Sequence, residues 1–166
     1  MTSALVLIDL MPRIVALPLE PYSGDEVLER SQRLAEAFRA AGRPVVLVRV
    51  ERPNVAAQPP GSELAEGLEQ PGDIVVVKHT IGAFHETDLH ERLQERGLTT
   101  IVIGGIATTM GVESTARAAS DHGYDLEFVS DAMSGFAADE HEFTVWRIFP
   151  RFGEVRTADD YLSDRS

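Results

Sequence analysis

The sequence predicts an α/β protein with a doubly wound, mainly parallel sheet between two layers of helices. Apolar segments of strand length alternate along the chain with amphipathic segments of helix length. The apolar segments are continuous runs, which is typical of parallel strands that are covered on both faces. No internal repeat or low-complexity tract interrupts this alternation, so we expect residues 1–166 to form one three-layer α/β/α domain.

The first predicted strand, Ser3–Ile8, is a continuous apolar run that ends at Asp9. A helix is expected to begin at Ser23, because Ser23 and Glu26 form a capping-box pattern and apolar residues follow at helical spacing. Gly42 is a helix-stop signal and ends this element.

The middle of the chain contains two more predicted strands. Residues 44–50 form the second strand, and residues 74–77 form the third, which ends in Lys78. The segment 51–72 between them is rich in Pro and Gly, as are many long connections that border a binding site. A helix is expected to follow over 88–96.

The remaining elements are predicted in the same alternating order. They are a strand at 101–103, a glycine turn and a helix at 109–122, a strand at 126–129, a helix at 138–149, and a short strand at 154–156 before a last helical turn. Ligands of such sheets bind outside the carboxyl ends of the strands, where the winding direction reverses. We therefore expect Asp9, Lys78 and Gly111 to converge.

Composition narrows the classes of function. The net charge of −12 disfavours binding to nucleic acid or to anionic membrane surfaces. The absence of cysteine excludes disulfides, thiolate metal sites and a thioester mechanism supplied by this chain. No apolar stretch approaches the roughly 18 residues of a membrane span, and no basic region precedes the first apolar run, so we expect a cytoplasmic protein.

The candidate residues also have ordinary structural interpretations. An aspartate after a strand is often a turn former, and a single lysine is often a solvated charge, but Asp9 and Lys78 carry more weight as a pair. Gly104 and Gly105 can simply form a tight turn. They lack the G-x-G-x-x-G spacing of a dinucleotide site, so no cofactor is predicted.

Three blocks of the sequence resemble the isochorismatase-like cysteine hydrolases. The blocks are 4–10 with Asp9, 78–89 with Lys78 and Phe84, and 105–117 with Gly111. They occur in the family's order and spacing and span nearly the whole chain. The resemblance implies the fold predicted above and hydrolysis of a small-molecule substrate. It also implies a homo-oligomer, because family members commonly form dimers or tetramers.

In the amidase members, the resemblance implies a triad of Asp, Lys and Cys, with backbone N–H groups that stabilise an oxyanion. Asp9 and Lys78 match the first two members. Gly111 stands where the cysteine is expected, so the acyl-enzyme route is closed. The resemblance also implies a cis peptide bond at 106–107 that directs the N–H of Ala107 into the cleft.

The resemblance further implies the lining of the pocket. We expect Ala107, Phe84, Met11 and Met110 to surround the substrate, with Met11 in place of the glutamine that the family usually carries there. Nicotinamidases bind a metal through an Asp-x-His pair after the second strand. The segment 49–52 offers no histidine, so no metal is predicted.

Two functions stay open at this stage. Isochorismatases also carry glycine at the cysteine position and cleave a vinyl ether without a covalent intermediate, which would make Asp9 a general acid and Lys78 its orienting partner. Such an acid needs a raised pKa, which burial favours and Lys78 opposes. The alternative is a non-catalytic relative that keeps the fold as a ligand-binding or oligomeric interaction protein.

Two predictions concern surfaces away from this pocket. The aromatic residues Phe143, Trp146 and Phe149 lie on one predicted helix. They can form core, which we favour, or an oligomer interface. Arg117 is expected to pair with a carboxylate such as Asp131.

Overall fold

The computed structural model describes residues 2–163 and shows one central sheet. Its strands are β1 (Ser3–Ile8), β2 (Val45–Val50), β3 (Ile74–Lys78), β4 (Thr100–Ile106), β5 (Asp125–Ser134) and β6 (Gly153–Arg156). The strand order is β3-β2-β1-β4-β5-β6, and every neighbouring pair is parallel. The predicted α/β class is confirmed, with a sheet that is parallel throughout its named strands.

Helices occupy both sides of this sheet. In the described part of the chain they are α1 (Pro12–Val15), α2 (Gly24–Ala40), α3 (Leu89–Glu95), α4 (Glu113–Asp121), α5 (Ala138–Phe143) and α6 (Asp159–Leu162). A π-helical turn, Thr108–Val112, leads into α4, and a second one, Thr144–Ile148, continues α5. A 3-10 turn, Phe149–Arg151, follows it, so the helix predicted over 138–149 is three short helical segments rather than one. Helix α1 was not predicted.

The start of α2 follows the sequence prediction closely. Ser23 Oγ accepts a hydrogen bond from the Glu26 N–H at 3.2 Å, and the Glu26 carboxylate accepts one from the Ser23 N–H at 2.8 Å. This reciprocal capping box satisfies two N–H groups that have no partner inside the helix. The helix ends at Ala40, and Gly42 has a φ of 70°, a conformation that favours glycine.

Two apolar layers cover the sheet because side chains of a strand alternate between its faces. In β1, Ala4, Val6 and Ile8 face one layer, and Leu5 and Leu7 face the other. The first layer is completed by buried residues of α3 and α4, which are Leu89, Leu93, Ala116 and Ala119. The second is completed by buried residues of α2, which are Val27, Leu34 and Phe38. This arrangement is the predicted three-layer sandwich.

Strand β5 is longer than predicted. It reaches Ser134, whereas the apolar pattern ends near 129, because residues beyond a register shift still pair with β4. The prediction that Arg117 pairs with a carboxylate is confirmed, but the partner is not Asp131. Arg117 instead pairs with Glu113 one helical turn away, at 3.1 Å. The Asp131 carboxylate accepts a hydrogen bond from the Ala158 N–H at 2.7 Å and so holds the segment before α6.

The late aromatic residues divide between core and surface. Phe149 is fully buried, but Phe143 and Trp146 are 60% and 59% exposed. The preference for core is therefore correct only for Phe149. The homo-oligomer stays a prediction, and Phe143 and Trp146 are exposed as the alternative of an interface requires.

The winding direction of the sheet reverses between β1 and β4, which are neighbours at its centre. Their carboxyl ends are in register, with Ile8 opposite Gly105. A Cβ at Gly105 would collide with the Ile8 backbone, so only glycine allows the two strands to approach this closely. Within residues 2–163, no helix is both long and apolar enough to cross a membrane.

Candidate active site

Asp9 occupies a tight turn directly after β1. Its φ is 53°, in the left-handed region that aspartate tolerates better than most side chains. The Asp9 N–H donates to the carbonyl of Val48 at 2.9 Å, and the Asp9 carbonyl accepts from the Met11 N–H at 2.9 Å. These bonds hold Asp9 at the carboxyl edge of the sheet, where the residue is 7% exposed.

Lys78 is the last residue of β3 and is 2% exposed. Strand β2 separates β3 from β1, so only a long side chain can reach Asp9 from this position. Lys78 Nζ donates to Asp9 Oδ2 at 3.0 Å and to the carbonyls of Thr80 and Ile81 at 3.2 and 2.8 Å. The ion pair joins residues that are 69 positions apart in the chain.

Burial raises the pKa of the Asp9 carboxyl, and this effect outweighs the opposing charges of Lys78 and Arg13. The second carboxyl oxygen, Oδ1, is buried and has no hydrogen-bond partner among residues 2–163. The sequence left the balance between burial and Lys78 open, and in the structure burial has the larger effect on the pKa of Asp9. The site therefore contains a carboxyl group that can hold a proton beside a lysine.

Gly111 lies in the π-helical turn Thr108–Val112 and is buried. A Cβ at this position would lie 3.6 Å from Asp9 Oδ2 and 3.5 Å from the carbonyl oxygen of Ile81. It would also lie 2.8 Å from Cγ2 of Ile8, so a side chain here would displace its neighbour. Asp9, Lys78 and Gly111 thus converge at the edge where the sheet winding reverses.

These three residues line a cleft with a volume of about 360 Å³. Ala107 and Met110, both expected in the pocket, also line it. Ala107 follows the peptide bond from Ile106, which is cis. The further apolar lining consists of Ile14, Leu17, Val50, Ile81, Ile106 and Phe136.

The other two expected pocket residues lie elsewhere. Met11 is fully buried, with its sulfur 3.5 Å from the Val50 nitrogen, because the turn at Asp9 directs the chain back into the core. Phe84 packs in an aromatic group, with its ring 5.0 Å from His122 and 6.0 Å from Tyr124. The pocket assignments of Met11 and Phe84 are therefore corrected.

Sequence reasoning missed a buried pair behind the π-helical turn. Thr108 and His141 are both almost fully buried, and Oγ1 of Thr108 lies 2.7 Å from Nδ1 of His141. No local pattern marks a lone histidine on a late helix, although Thr108 directly follows the strand end. The cleft residues Leu17 and Phe136 were missed because they lie in loops without a periodic pattern.

Comparison with known proteins identifies the family of this chain. The isochorismatase domain profile matches residues 3–160. The uncharacterized isochorismatase family protein YecD from Escherichia coli O157:H7 is 39% identical over 179 residues, which cover 98% of this chain and 95% of that protein. A solved isochorismatase family protein from Burkholderia thailandensis is 42% identical and superposes with a TM-score of 0.85, covering 96% of this chain and 93% of that one.

A shorter match connects the chain with an enzyme of named activity. Ureidoacrylate amidohydrolase RutB from Variovorax paradoxus is 39% identical over 101 residues, which are 60% of this chain and 40% of that protein. The family profile and the two full-length matches each cover nearly the whole chain. This chain therefore belongs to the isochorismatase family of hydrolases.

Proposed function

We propose that this protein hydrolyses a small molecule without a covalent intermediate, with Asp9 as its general acid. The observation that carries the proposal is the buried Asp9 carboxyl, whose pKa is raised although Lys78 Nζ lies 3.0 Å away. A raised pKa makes a carboxyl group a better proton donor near neutral pH than an ordinary aspartate would be. The amidohydrolase relative supports hydrolysis as the reaction class.

Vinyl ether cleavage is the reaction that best suits this arrangement. Asp9 transfers its proton to the terminal alkene carbon, which creates an oxocarbenium-like centre on the carbon that bears the ether oxygen. Water adds to that centre and loses a proton to the Asp9 carboxylate. The resulting hemiketal collapses to a carbonyl compound and an alcohol, so one water is consumed and Asp9 is restored.

Lys78 stabilises the reaction after the proton has left Asp9. The carboxylate formed in this step is buried, and an unpaired buried charge is costly. The ammonium group at 3.0 Å provides a charge-assisted hydrogen bond that is stronger to the anion than to the neutral acid. Lys78 therefore favours the transition state and holds the carboxylate in place for the return of the proton.

Gly111 and Ala107 complete the proposed site. Gly111 provides no nucleophilic side chain where a Cβ would lie 3.6 Å from Asp9 Oδ2, so the attacking group must be water. Ala107 lines the same cleft, and its backbone N–H is the proposed donor to the alcohol oxygen, which gains negative charge as it leaves the collapsing hemiketal.

A second candidate is a non-catalytic relative that binds a ligand or a second copy of the chain. The absence of cysteine favours it, because the covalent route of the amidase relatives is closed. In this case the cleft would still bind small molecules, but the protein would not catalyse their hydrolysis.

Steady-state hydrolysis of enol ethers, including isochorismate, and of small amides separates the two candidates. We expect turnover of at least one compound, and a loss of about a hundredfold or more in Asp9→Asn, which cannot donate the proton. The exposed Asp121 provides a matched control, because Asp121→Asn makes the same substitution at a residue that does not line the cleft. Turnover no faster than in buffer for every compound would favour the binding protein, and full activity in Asp9→Asn would remove Asp9 from the mechanism.

A further inference from the structure

We infer that the cleft selects an uncharged ligand about the size of a single ring, with one polar end and an apolar body. The inference rests on the proposed function, since it names the substrate class of the same site. It excludes substrates that are recognised through a carboxylate or phosphate group. Three features of the cleft carry it.

The first feature is the bonding of Lys78. An ammonium group has three N–H donors. Those of Lys78 point to Asp9 Oδ2, to the Thr80 carbonyl and to the Ile81 carbonyl, at 3.0, 3.2 and 2.8 Å. A substrate anion could bind Lys78 only by displacing one of these buried partners. The lysine therefore belongs to the protein's own hydrogen-bond network and is not a free anion receptor.

The second feature is the scarcity of other positive charge. Among the described residues that line the cleft, Lys78 is the single lysine or arginine, and the exposed His79 is the remaining basic side chain. The nearby arginines are engaged elsewhere, since Arg13 donates to Ser62 at 3.2 Å and Arg49 pairs with Glu51 at 2.8 Å. The chain also has a net charge of −12, which repels anions. Moving a carboxylate into this cleft would leave it without a compensating partner.

The third feature is the apolar rim. Four large hydrophobic side chains are exposed around the cleft, which are Leu17 at 37%, Met110 at 44%, Ile81 at 52% and Phe136 at 54%. Exposed hydrophobic clusters of this kind mark binding sites for apolar groups. The volume of about 360 Å³ lies at the low end of ligand sites, which suits a small ring and not an extended ligand.

We expect the polar end of the ligand to face the Asp9 carboxyl, because Asp9 lines the cleft. Asp9 Oδ1 is buried and lacks a hydrogen-bond partner in residues 2–163. When protonated, the carboxyl can donate to a carbonyl or ether oxygen, and when ionised it can accept from an amide N–H. In a ligand with an amide, ester or ether group on an apolar ring, the polar group can hydrogen-bond with the carboxyl while the ring packs against the apolar rim.

Benzamide and benzoate test this inference as a pair of similar shape that differs in charge. Their binding to the intact protein at pH 7.5 can be measured by titration calorimetry or by chemical-shift perturbation. We expect benzamide to bind at least roughly tenfold more tightly, since the anion loses hydration without gaining a cation. Equal affinities, tighter binding of benzoate, or no binding of either compound at millimolar concentrations would each overturn the inference.

A charge added at the rim provides the matching variant. Met110→Lys places an ammonium group at the cleft mouth, and we expect benzoate to gain affinity relative to benzamide, with Met110→Leu as the neutral control. Binding is measured without turnover, so an inactive protein that still prefers benzamide would defeat the proposed function and keep the inference. Efficient hydrolysis of an anionic substrate would support the proposed function and overturn the inference.

Discussion

Thr108 Oγ1 and His141 Nδ1 form a buried hydrogen bond of 2.7 Å that joins the turn after β4 to helix α5. Both residues are almost fully buried, and Tyr22 packs edge-on against the imidazole with ring centroids 6.0 Å apart. Thr108 begins the π-helical turn that carries Gly111. The pair therefore supports the wall of the cleft without contacting it.

Removing this bond is expected to destabilise the fold. Thr108→Val keeps the side-chain shape but leaves the imidazole nitrogen unpaired in the core, which costs about 1–3 kcal/mol. Thr109→Val makes the same chemical change at a less buried neighbour, and we expect it to stay within about 0.5 kcal/mol of the unmodified protein. Urea unfolding measures both, and equal losses for the two variants would contradict a special role for Thr108.

His141 is expected to make stability depend on pH. Burial lowers its pKa from the ordinary 6.5, although the Glu142 carboxylate opposes this shift. The folded protein then binds fewer protons than the unfolded chain in the window from the lowered pKa up to 6.5, so stability is complete above 6.5 and falls as the pH drops through that window. In urea unfolding from pH 7.5 to 5, His141→Gln should lose part of this dependence. An unchanged slope would show that His141 does not titrate there.

Asp9 is expected to have the opposite effect on the pH dependence of stability, which it lowers as the pH rises. Its pKa is raised above 3.8 by burial, so the folded protein holds a proton that the unfolded chain has released. Its contribution to stability is most favourable below 3.8 and declines as the pH rises through the folded pKa, by about 1.4 kcal/mol for each unit of the shift. The stability difference between the unmodified protein and Asp9→Asn should therefore decline with rising pH. A difference that grows with pH would show that the ion pair with Lys78 dominates.

Removing the charge of Lys78 should move the pH profile of catalysis. Lys78 lowers the pKa of Asp9, so in Lys78→Met that pKa rises further and the loss of activity at alkaline pH occurs at higher pH. The rate constant itself should fall, because the carboxylate formed during the reaction loses its partner. The quantity to measure is kcat/KM against pH. A profile that moves to lower pH would contradict Asp9 as the titrating acid.

Gly111→Cys would introduce a single thiol into a chain that has none. Its Cβ would lie 3.6 Å from Asp9 Oδ2, the oxygen that Lys78 Nζ binds, and in the first turn of a helical segment. A nearby ammonium group and a helix start both favour the thiolate. We expect faster alkylation by iodoacetamide than in Ala57→Cys, where the thiol is exposed in a loop. The contact with Ile8 should cost about 1–3 kcal/mol of stability. Equal alkylation rates would place residue 111 outside an activating environment.

The alternation of apolar runs and helical segments was sufficient to place Asp9, Lys78 and Gly111 together. Parallel strands bring their carboxyl ends to one edge, so a residue at a strand end has a known position without any knowledge of its contacts. The capping box at Ser23 could also be predicted from the sequence, because its two hydrogen bonds join residues three positions apart. These features depend on local chemistry and on the period of the pattern.

The lining of the cleft and the pKa of Asp9 were determined only by the tertiary structure. Met11 and Phe84 do not line the cleft as predicted, whereas Leu17 and Phe136, which were not predicted, do line it. The path of the loops and the packing between layers determine these positions. The direction of the Asp9 pKa shift likewise depends on how completely the fold buries the carboxyl beside Lys78. Such quantities arise from contacts between distant segments, which no local pattern of residues encodes.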